Sequence, residues 1–374
     1  MGKRKTAPKD WHYSLSKIKQ FGADYNLIIG ERSNGKTYAC LLEAIANYAE
    51  SGNQTALIRR FKEDFRGKRG NDLFAPLVAN GEIARATDGV WTHVYYYSSR
   101  WFFARYEDVG EGEKKRVVCE ECFMYAFALI DMEHDKGTRY PLVTIVIFDE
   151  FITRRAYLPD EFILFLNCLS TIIGERSDVV IYMLGNTVNK YCPYFAEMGL
   201  KHVRRQKQGT IDLYHIGATG LKVAVEYCAS SDKKSKKSNK YFAFENQKVD
   251  MITHGVWELD IYPHCPRKFT RNDIVMTYFI IFDGDILQCE IVMVDGVAFT
   301  FIHRKTSKLQ NPDKDIVYSL AQDVRPNWRT NILLDNSKAG GVINAFYRND
   351  KVFYQDNEIG EIVRNYLIQC GKVL

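Results

Sequence analysis

The chain has 374 residues, 46% of them hydrophobic and 26% charged, with 51 Lys and Arg against 46 Asp and Glu and a formal net charge of +5. That is length for two domains and ample material for packed cores, while no stretch approaches the roughly 20 uninterrupted apolar residues that a membrane-spanning helix needs. The nine cysteines, an odd number, suit a reducing compartment better than a disulfide framework, and the basic start Met1-Gly2-Lys3-Arg4-Lys5 has no apolar signal core behind it, so neither a membrane span nor secretion is expected.

The first predicted element is a strand at 26–29, followed by Gly30-Glu31-Arg32-Ser33-Asn34-Gly35-Lys36-Thr37. Two glycines five apart before Lys-Thr form the Walker A pattern. Its glycines let successive N–H groups point at a phosphate chain, its lysine reaches the terminal phosphates and its threonine hydroxyl ligates Mg²⁺. A helix is expected to start at Lys36 and bring its positive end to the same place; Tyr38, Leu41, Leu42, Ile45, Tyr48 and Ala49 carry the apolar periodicity. Gly30, Arg32, Ser33, Asn34, Gly35, Lys36, Thr37 and Tyr38 are thus candidate nucleotide contacts.

A second strand is expected at 55–59, closed by Arg59-Arg60. The segment 82–106 looks β-like, with an Asp88-Gly89 turn and the run Tyr95-Tyr96-Tyr97, and is read as a hairpin at the sheet's periphery. Those tyrosines serve cross-strand packing or stack on bases. Cys119-x-x-Cys122 lacks a second pair at zinc-site spacing and reads as ordinary packing.

The apolar run 142–148 suits a strand buried on both faces and ends in Asp149-Glu150. A phosphate loop needs an acid for the Mg²⁺ shell and a group that polarises the attacking water, both at the carboxyl end of a neighbouring strand. Asp149 is the metal candidate and Glu150 the catalytic one, the arrangement of a hydrolysing enzyme; ATP and Mg²⁺ are the expected cofactors. A further strand at 179–184 ends in Gly185-Asn186-Thr187, where Asn186 is either a γ-phosphate sensor or a turn asparagine. Arg176, just before that strand, is either an arginine finger reaching a neighbouring subunit or half of a surface ion pair. The alternation of strands and helices predicts an α/β P-loop fold with a mostly parallel sheet covered on both faces. An extra strand between the P-loop strand and the acidic strand fits the intervals.

Basic clusters recur at 3–5, 66–69, 154–155, 201–207 and 233–240. Each alone is a solvated face; together they suit a polyanion such as nucleic acid. Lys68, Arg154 and Arg155 are the DNA-contact candidates. The polar and basic stretch at 230–239 resembles a linker, which divides the chain into 1–225, a linker at 226–258 and a C-terminal domain at 259–374. There, strands at 275–282, 286–294 and 297–303, separated by Asp283-Gly284-Asp285 and Asp295-Gly296, read as an antiparallel meander, and 359–370 as a helix packed on it.

The motifs together resemble the double-stranded DNA packaging ATPases of small tailed phages, of the phi-twenty-nine type. The likeness is carried by the P-loop with Arg32, by Arg59-Arg60-Phe61-Lys62, by Ile145 to Ile152 around Asp149-Glu150, by Tyr157-Leu158-Pro159, and by Gly185-Asn186-Thr187-Val188 with Pro193-Tyr194-Phe195. The resemblance implies an ATP-driven motor that threads genomic DNA into a procapsid through its portal, as a pentameric ring in the host cytoplasm that also contacts a structural RNA. It implies Glu150 as the catalytic glutamate, Arg59 and Lys62 as basic residues near the nucleotide or subunit interface, and a C-terminal domain resembling an inactive RNase H-like nuclease. Two alternatives stand beside it: a terminase-type ATPase with an active nuclease, and a nucleotide switch that moves nothing.

Overall fold

The computed structural model describes residues 13–110, 113–134, 138–154, 157–229, 257 and 260–372. Arg155, the basic runs at 3–5 and 233–240, and most of the expected linker lie outside them. The chain divides into two compact units, Met1–Trp257 and Glu258–Leu374.

In the first unit a short helix α1 (Ser16–Lys19) precedes β1 (Tyr25–Gly30), α2 (Lys36–Ser51) and β2 (Gln54–Arg59). Three short helices follow, α3 (Lys68–Asp72), α4 (Ala75–Ala79) and α5 (Glu82–Ala86), then β3 (His93–Tyr97), β4 (Arg100–Gly110), β5 (Glu113–Val118) and β6 (Met124–Ala128). The unit continues with β7 (Val143–Asp149), α6 (Glu161–Ile173), β8 (Val180–Asn186), α7 (Pro193–Glu197), β9 (Thr210–Ile216) and β10 (Leu221–Tyr227). Its sheet has the order β3-β4-β6-β2-β7-β8-β1-β10-β9, with β5 paired to β4. The central strands β6, β2, β7, β8, β1 and β10 all run parallel. As expected, β8 separates the P-loop strand from the acidic strand.

The continuous apolar runs follow from burial on both faces. On one face Leu27, Ile29, Val146, Phe148, Ile181 and Met183 pack with Phe165, Cys168, Leu169 and Ile172 of α6. On the other, Ile28, Ile145, Ile147, Tyr182 and Leu184 pack with Cys40, Leu41, Ala44 and Ile45 of α2. Alternate residues of each strand divide between the two layers, the period of two that a strand imposes. Each fully buried side chain of this kind contributes about 1.5–3 kcal/mol.

The peripheral segment differs from the sequence reading. Residues 82–86 are helical, and Asp88-Gly89 follows that helix; the hairpin turn is Ser98-Ser99, with φ of +49° and +58°. The helix at 82–86 is too short to show its own period, so in sequence it is indistinguishable from a prelude to the period-two signal of 93–104. Tyr96 pairs with Trp101 across the hairpin and lies against its ring at 4.7 Å, while Tyr95 and Tyr97 stack 6.2 Å apart.

In the second unit the sheet order is β15-β14-β11-β12-β13-β16, with β11 (Ile274–Phe282), β12 (Asp285–Val294), β13 (Val297–Arg304), β14 (Ile316–Ser319), β15 (Trp328–Arg329) and β16 (Val352–Tyr354). The first three form the expected antiparallel meander, and Asp283-Gly284 and Asp295-Gly296 turn it with positive φ at all four residues. β14 and β15 continue parallel to β11. Helices Lys338–Arg348, capped by Ser337 Oγ on Gly340 N, and Asn357–Lys372 complete the unit.

Candidate nucleotide site

The parallel register brings the carboxyl ends of three strands together. Gly30 lies beside Asn186, Ile29 beside Gly185, and Asp149 beside Leu184. Gly185 admits no side chain: a Cβ there would come within 2.6 Å of Ile152 Cδ1 and 2.9 Å of Phe151. The chain after β7 therefore folds directly over β8.

Gly35, at φ +92°, ends the loop and starts α2, so the loop's amides and the helix N-terminus converge. Lys36 is 6% exposed, and its ammonium donates to the carbonyls of Gly30 at 3.3 Å and Glu31 at 2.8 Å and to the Oδ1 atoms of Asn34 at 3.1 Å and Asn186 at 3.2 Å. Burial pushes Lys36 down to about 8, against the opposing pull of Cys228, Asp149 and Glu31. A phosphate chain supplies the negative charge that such a buried lysine lacks.

Thr37 Oγ1 donates to Asp149 Oδ1 at 3.1 Å, and Arg59 Nη2 donates to Asp149 Oδ2 at 2.6 Å. A buried carboxylate beside a hydroxyl is the hard-oxygen set that Mg²⁺ takes, one or two protein oxygens with the remaining ligands left to water and phosphate. Glu150 is exposed at the end of β7 with φ +61°, a left-handed conformation that costs a side-chain-bearing residue roughly 1–2 kcal/mol.

Behind Glu150 lies a buried group that sequence reasoning had given no role. Arg60 forms a two-pronged pair with Glu161, Nε to Oε2 and Nη2 to Oε1, both at 2.8 Å. It also donates to the carbonyls of Glu150 at 3.0 Å and Phe151 at 2.9 Å. Its guanidinium lies over the rings of Tyr157 and Phe148. Glu161 further accepts from Tyr194 Oη at 3.0 Å and from the Leu158 N–H at 2.7 Å. The Tyr157-Leu158-Pro159 and Pro193-Tyr194-Phe195 motifs are thus the walls of one arginine site. The Arg59-Arg60 doublet and these two motifs marked its parts in the sequence, but not that they meet.

Arg32, Ser33, Asn34, Gly35, Lys36, Thr37, Tyr38, Asp149, Glu150, Gly185 and Asn186 line a cleft of about 330 Å³. A second cleft of about 420 Å³ includes Arg32, Arg59, Arg60, Asp149, Glu150, Arg154 and Asn186. Arg154, expected as a DNA contact, lies here, with Nε donating to the Val188 carbonyl at 2.8 Å. Three other candidates lie outside both clefts. Lys62 pairs with Asp131 at 3.1 Å, and Lys68 opens α3 on the exposed surface. Arg176 follows α6 and donates to the carbonyls of Ile173, Pro141, Tyr140 and Ile172, with Asp178 at 3.6 Å, and so closes the helix end.

Residues 95–240 match the model of the podovirus DNA encapsidation protein (Gp16). The matched segment holds Asp149-Glu150, Glu161, Asn186 and Tyr194. Over 178 residues the chain is 29% identical to the DNA packaging protein of Bacillus phage B103, covering 47% of this chain and 48% of that one. The chain is similar to the phi29-type DNA packaging proteins over these segments. The DNA packaging protein of Bacillus phage phi29 itself is 26% identical over 190 residues, 50% of each chain, so the chain spans about half the length of the curated relatives it matches. In fold it is similar to the bacteriophage Phi-29 viral genome packaging motor assembly, with a TM-score of 0.55 at 18% identity over 97% of this chain and 99% of that one. The Phi-28 gp11 DNA packaging motor gives 0.52 at 15% identity over 96% and 98%.

Proposed function

We propose that this chain is the ATPase of a viral DNA packaging motor, hydrolysing ATP to drive double-stranded DNA through the portal into a procapsid. The observation that carries the reading is the convergence of Lys36, Thr37, Asp149, Glu150 and Asn186 on one cleft at the carboxyl edge of the parallel sheet. Bound Mg²⁺ would draw charge from the phosphate oxygens, held through Thr37 and Asp149. Lys36 neutralises the terminal phosphates, and the left-handed turn at Glu150 presents its carboxylate to the cleft as the group that orients and deprotonates the attacking water. Asn186 Oδ1 holds the lysine, leaving the amide nitrogen as a donor to the γ-phosphate. Arg59, on the acid that holds the metal, moves with the charge there.

The oligomer in this reading is a ring, pentameric by family resemblance, that meets DNA, the portal and a structural RNA in the host cytoplasm, with Lys68, Arg154 and Arg155 as DNA contacts. Arg176 is the candidate to act on a neighbouring subunit. A ring built wholly of Arg176→Ala subunits that hydrolyses ATP at the wild-type rate removes that role. The second unit is proposed to be an inactive nuclease relative: its six-stranded sheet contains the path β13-β12-β11-β14-β15, an RNase H-like order, with β16 added beside β13, yet β11 carries no carboxylate, Asp283 sits in the turn and Asp285 is paired with Arg304. Metal-dependent DNA cleavage lost in Asp283→Ala would restore the terminase-type reading.

The deciding experiment is steady-state ATP hydrolysis with and without duplex DNA. Stimulation by DNA is expected; its absence would leave the nucleotide-switch reading and count against translocation.

A further inference from the structure

The two residues at the end of β7 face opposite demands. Asp149 is held by two partners, whereas Glu150 must present its carboxylate from a left-handed backbone, a conformation with a steric cost for a residue that has a Cβ. Such a conformation persists only where the surroundings over-determine it.

We propose that Arg60 is a positioning residue for Glu150, locking the peptide that sets the carboxylate's direction and being itself locked by Glu161. The inference rests on the ATPase reading of the cleft. Arg60 leaves β2 one residue after Arg59, yet its side chain runs behind the acidic strand to grip the successive carbonyls of Glu150 and Phe151. The Phe151 N–H donates to the Leu184 carbonyl at 3.1 Å, so the Glu150–Phe151 peptide is held at its oxygen by Arg60 and at its N–H by β8, and the peptide after it is held at its oxygen by the same fork. Arg60 is 7% exposed and both Glu161 oxygens are on its guanidinium, so its place is set before any substrate arrives. Lysine carries the charge without the fork, because an ammonium is a point donor.

Further support comes from the elements recruited. Glu161 opens α6, Tyr194 opens α7, and Tyr157 lies in the loop between β7 and α6. Three separate segments, 101 residues from Arg60 at Glu161 and 33 beyond it at Tyr194, converge on one guanidinium whose outward contacts are the backbone of the catalytic turn.

The test compares nucleotide affinity and turnover in the full-length protein. Arg60→Lys is expected to bind ATPγS within about twofold of wild type while kcat falls at least tenfold, with KM little changed. Tyr194→Phe, which removes one hydrogen bond from Glu161 and keeps the ring, is expected to lower kcat by a smaller factor in the same direction. A purely structural role would lower melting temperature, affinity and kcat together, and a wild-type kcat in Arg60→Lys would refute the positioning role outright. If Arg60→Lys does not fold, Glu161→Gln and Tyr194→Phe carry the same comparison, and unchanged kcat in both overturns it. Glu150→Gln is the control that separates the two levels: hydrolysis at the wild-type rate there would sink the ATPase reading itself, whereas a dead Glu150→Gln beside a fully active Arg60→Lys sinks only the positioning role.

Discussion

Arg59 and Asp149 meet at 2.6 Å across adjacent parallel strands, on the carboxylate oxygen opposite the one that accepts from Thr37. The arginine therefore occupies the charge that a metal-bound nucleotide would share. Removing it leaves a 4%-exposed carboxylate short of a partner, which costs about 1–3 kcal/mol. Arg59→Ala is expected to lower the melting temperature of the protein alone, and Mg²⁺ with ADP should recover most of the loss, because the metal supplies the missing positive charge. Equal losses with and without Mg-ADP would show that the pair has no part in the metal site.

Lys36 gives a pH signature. Its folded pKa, pushed down to about 8 by burial, lies below the ordinary 10.5, so the folded state releases its proton first. Between those values the unfolded chain binds more protons, and stability without nucleotide should rise with pH through that window. Nucleotide requires the charged lysine, so affinity should fall over the same range, with proton uptake on binding. Calorimetric titration in buffers of different ionisation enthalpy measures that uptake; none at pH 9 would contradict the buried, charge-starved lysine.

Gly185→Ala puts a methyl group into Ile152 and Phe151. Overpacking of this kind costs roughly 1–3 kcal/mol, and here it pushes on the residues directly after Glu150. Chemical denaturation should show that loss, and hydrolysis should fall by more than nucleotide binding. Unchanged stability would mean that the chain after β7 shifts freely.

In the second unit His303 and Glu290 approach at 3.5 Å. Their hydrogen bond raises His303 above its ordinary 6.5 and holds Glu290 below its ordinary 4.5. The histidine's contribution is complete below about pH 6.5 and is lost as pH rises through its raised pKa; the glutamate's is complete above about 4.5 and is lost as pH falls through its lowered one. Stability of this unit should therefore peak between those pH values, and His303→Gln should flatten the alkaline side of the peak. An identical profile in the variant would show the pair to be idle.

What could be read in advance was chemistry compressed into neighbouring residues. The P-loop, Asp149-Glu150 and the two Asp-Gly turns are local, because phosphate binding, metal ligation and tight reversal each demand particular residues within a few positions. The apolar run before Asp149 likewise announced a strand buried on both sides. Partnerships across the chain were illegible: nothing near Arg60 points to Glu161, and nothing near Tyr194 points to either. β6 and β10 went unread although both belong to the parallel centre. β10 holds Lys222 and Glu226 among its apolar residues, and its hairpin with β9 turns at Gly217 to Gly220, a glycine-flanked signal that was present in the sequence. The segment 82–106 departs from its expected hairpin at 82–86, because a five-residue helix is too short to display a helical period.

The position of β1, with β8 on one edge and β10 on the other, has a mechanical consequence. A strand bonded on both sides does not slide: a one-residue slip would break two ladders and turn each core side chain to the wrong layer. The lysine and threonine on the helix after β1 therefore stand on fixed ground, and so does Asn186, the last residue of β8 and the register partner of Gly30.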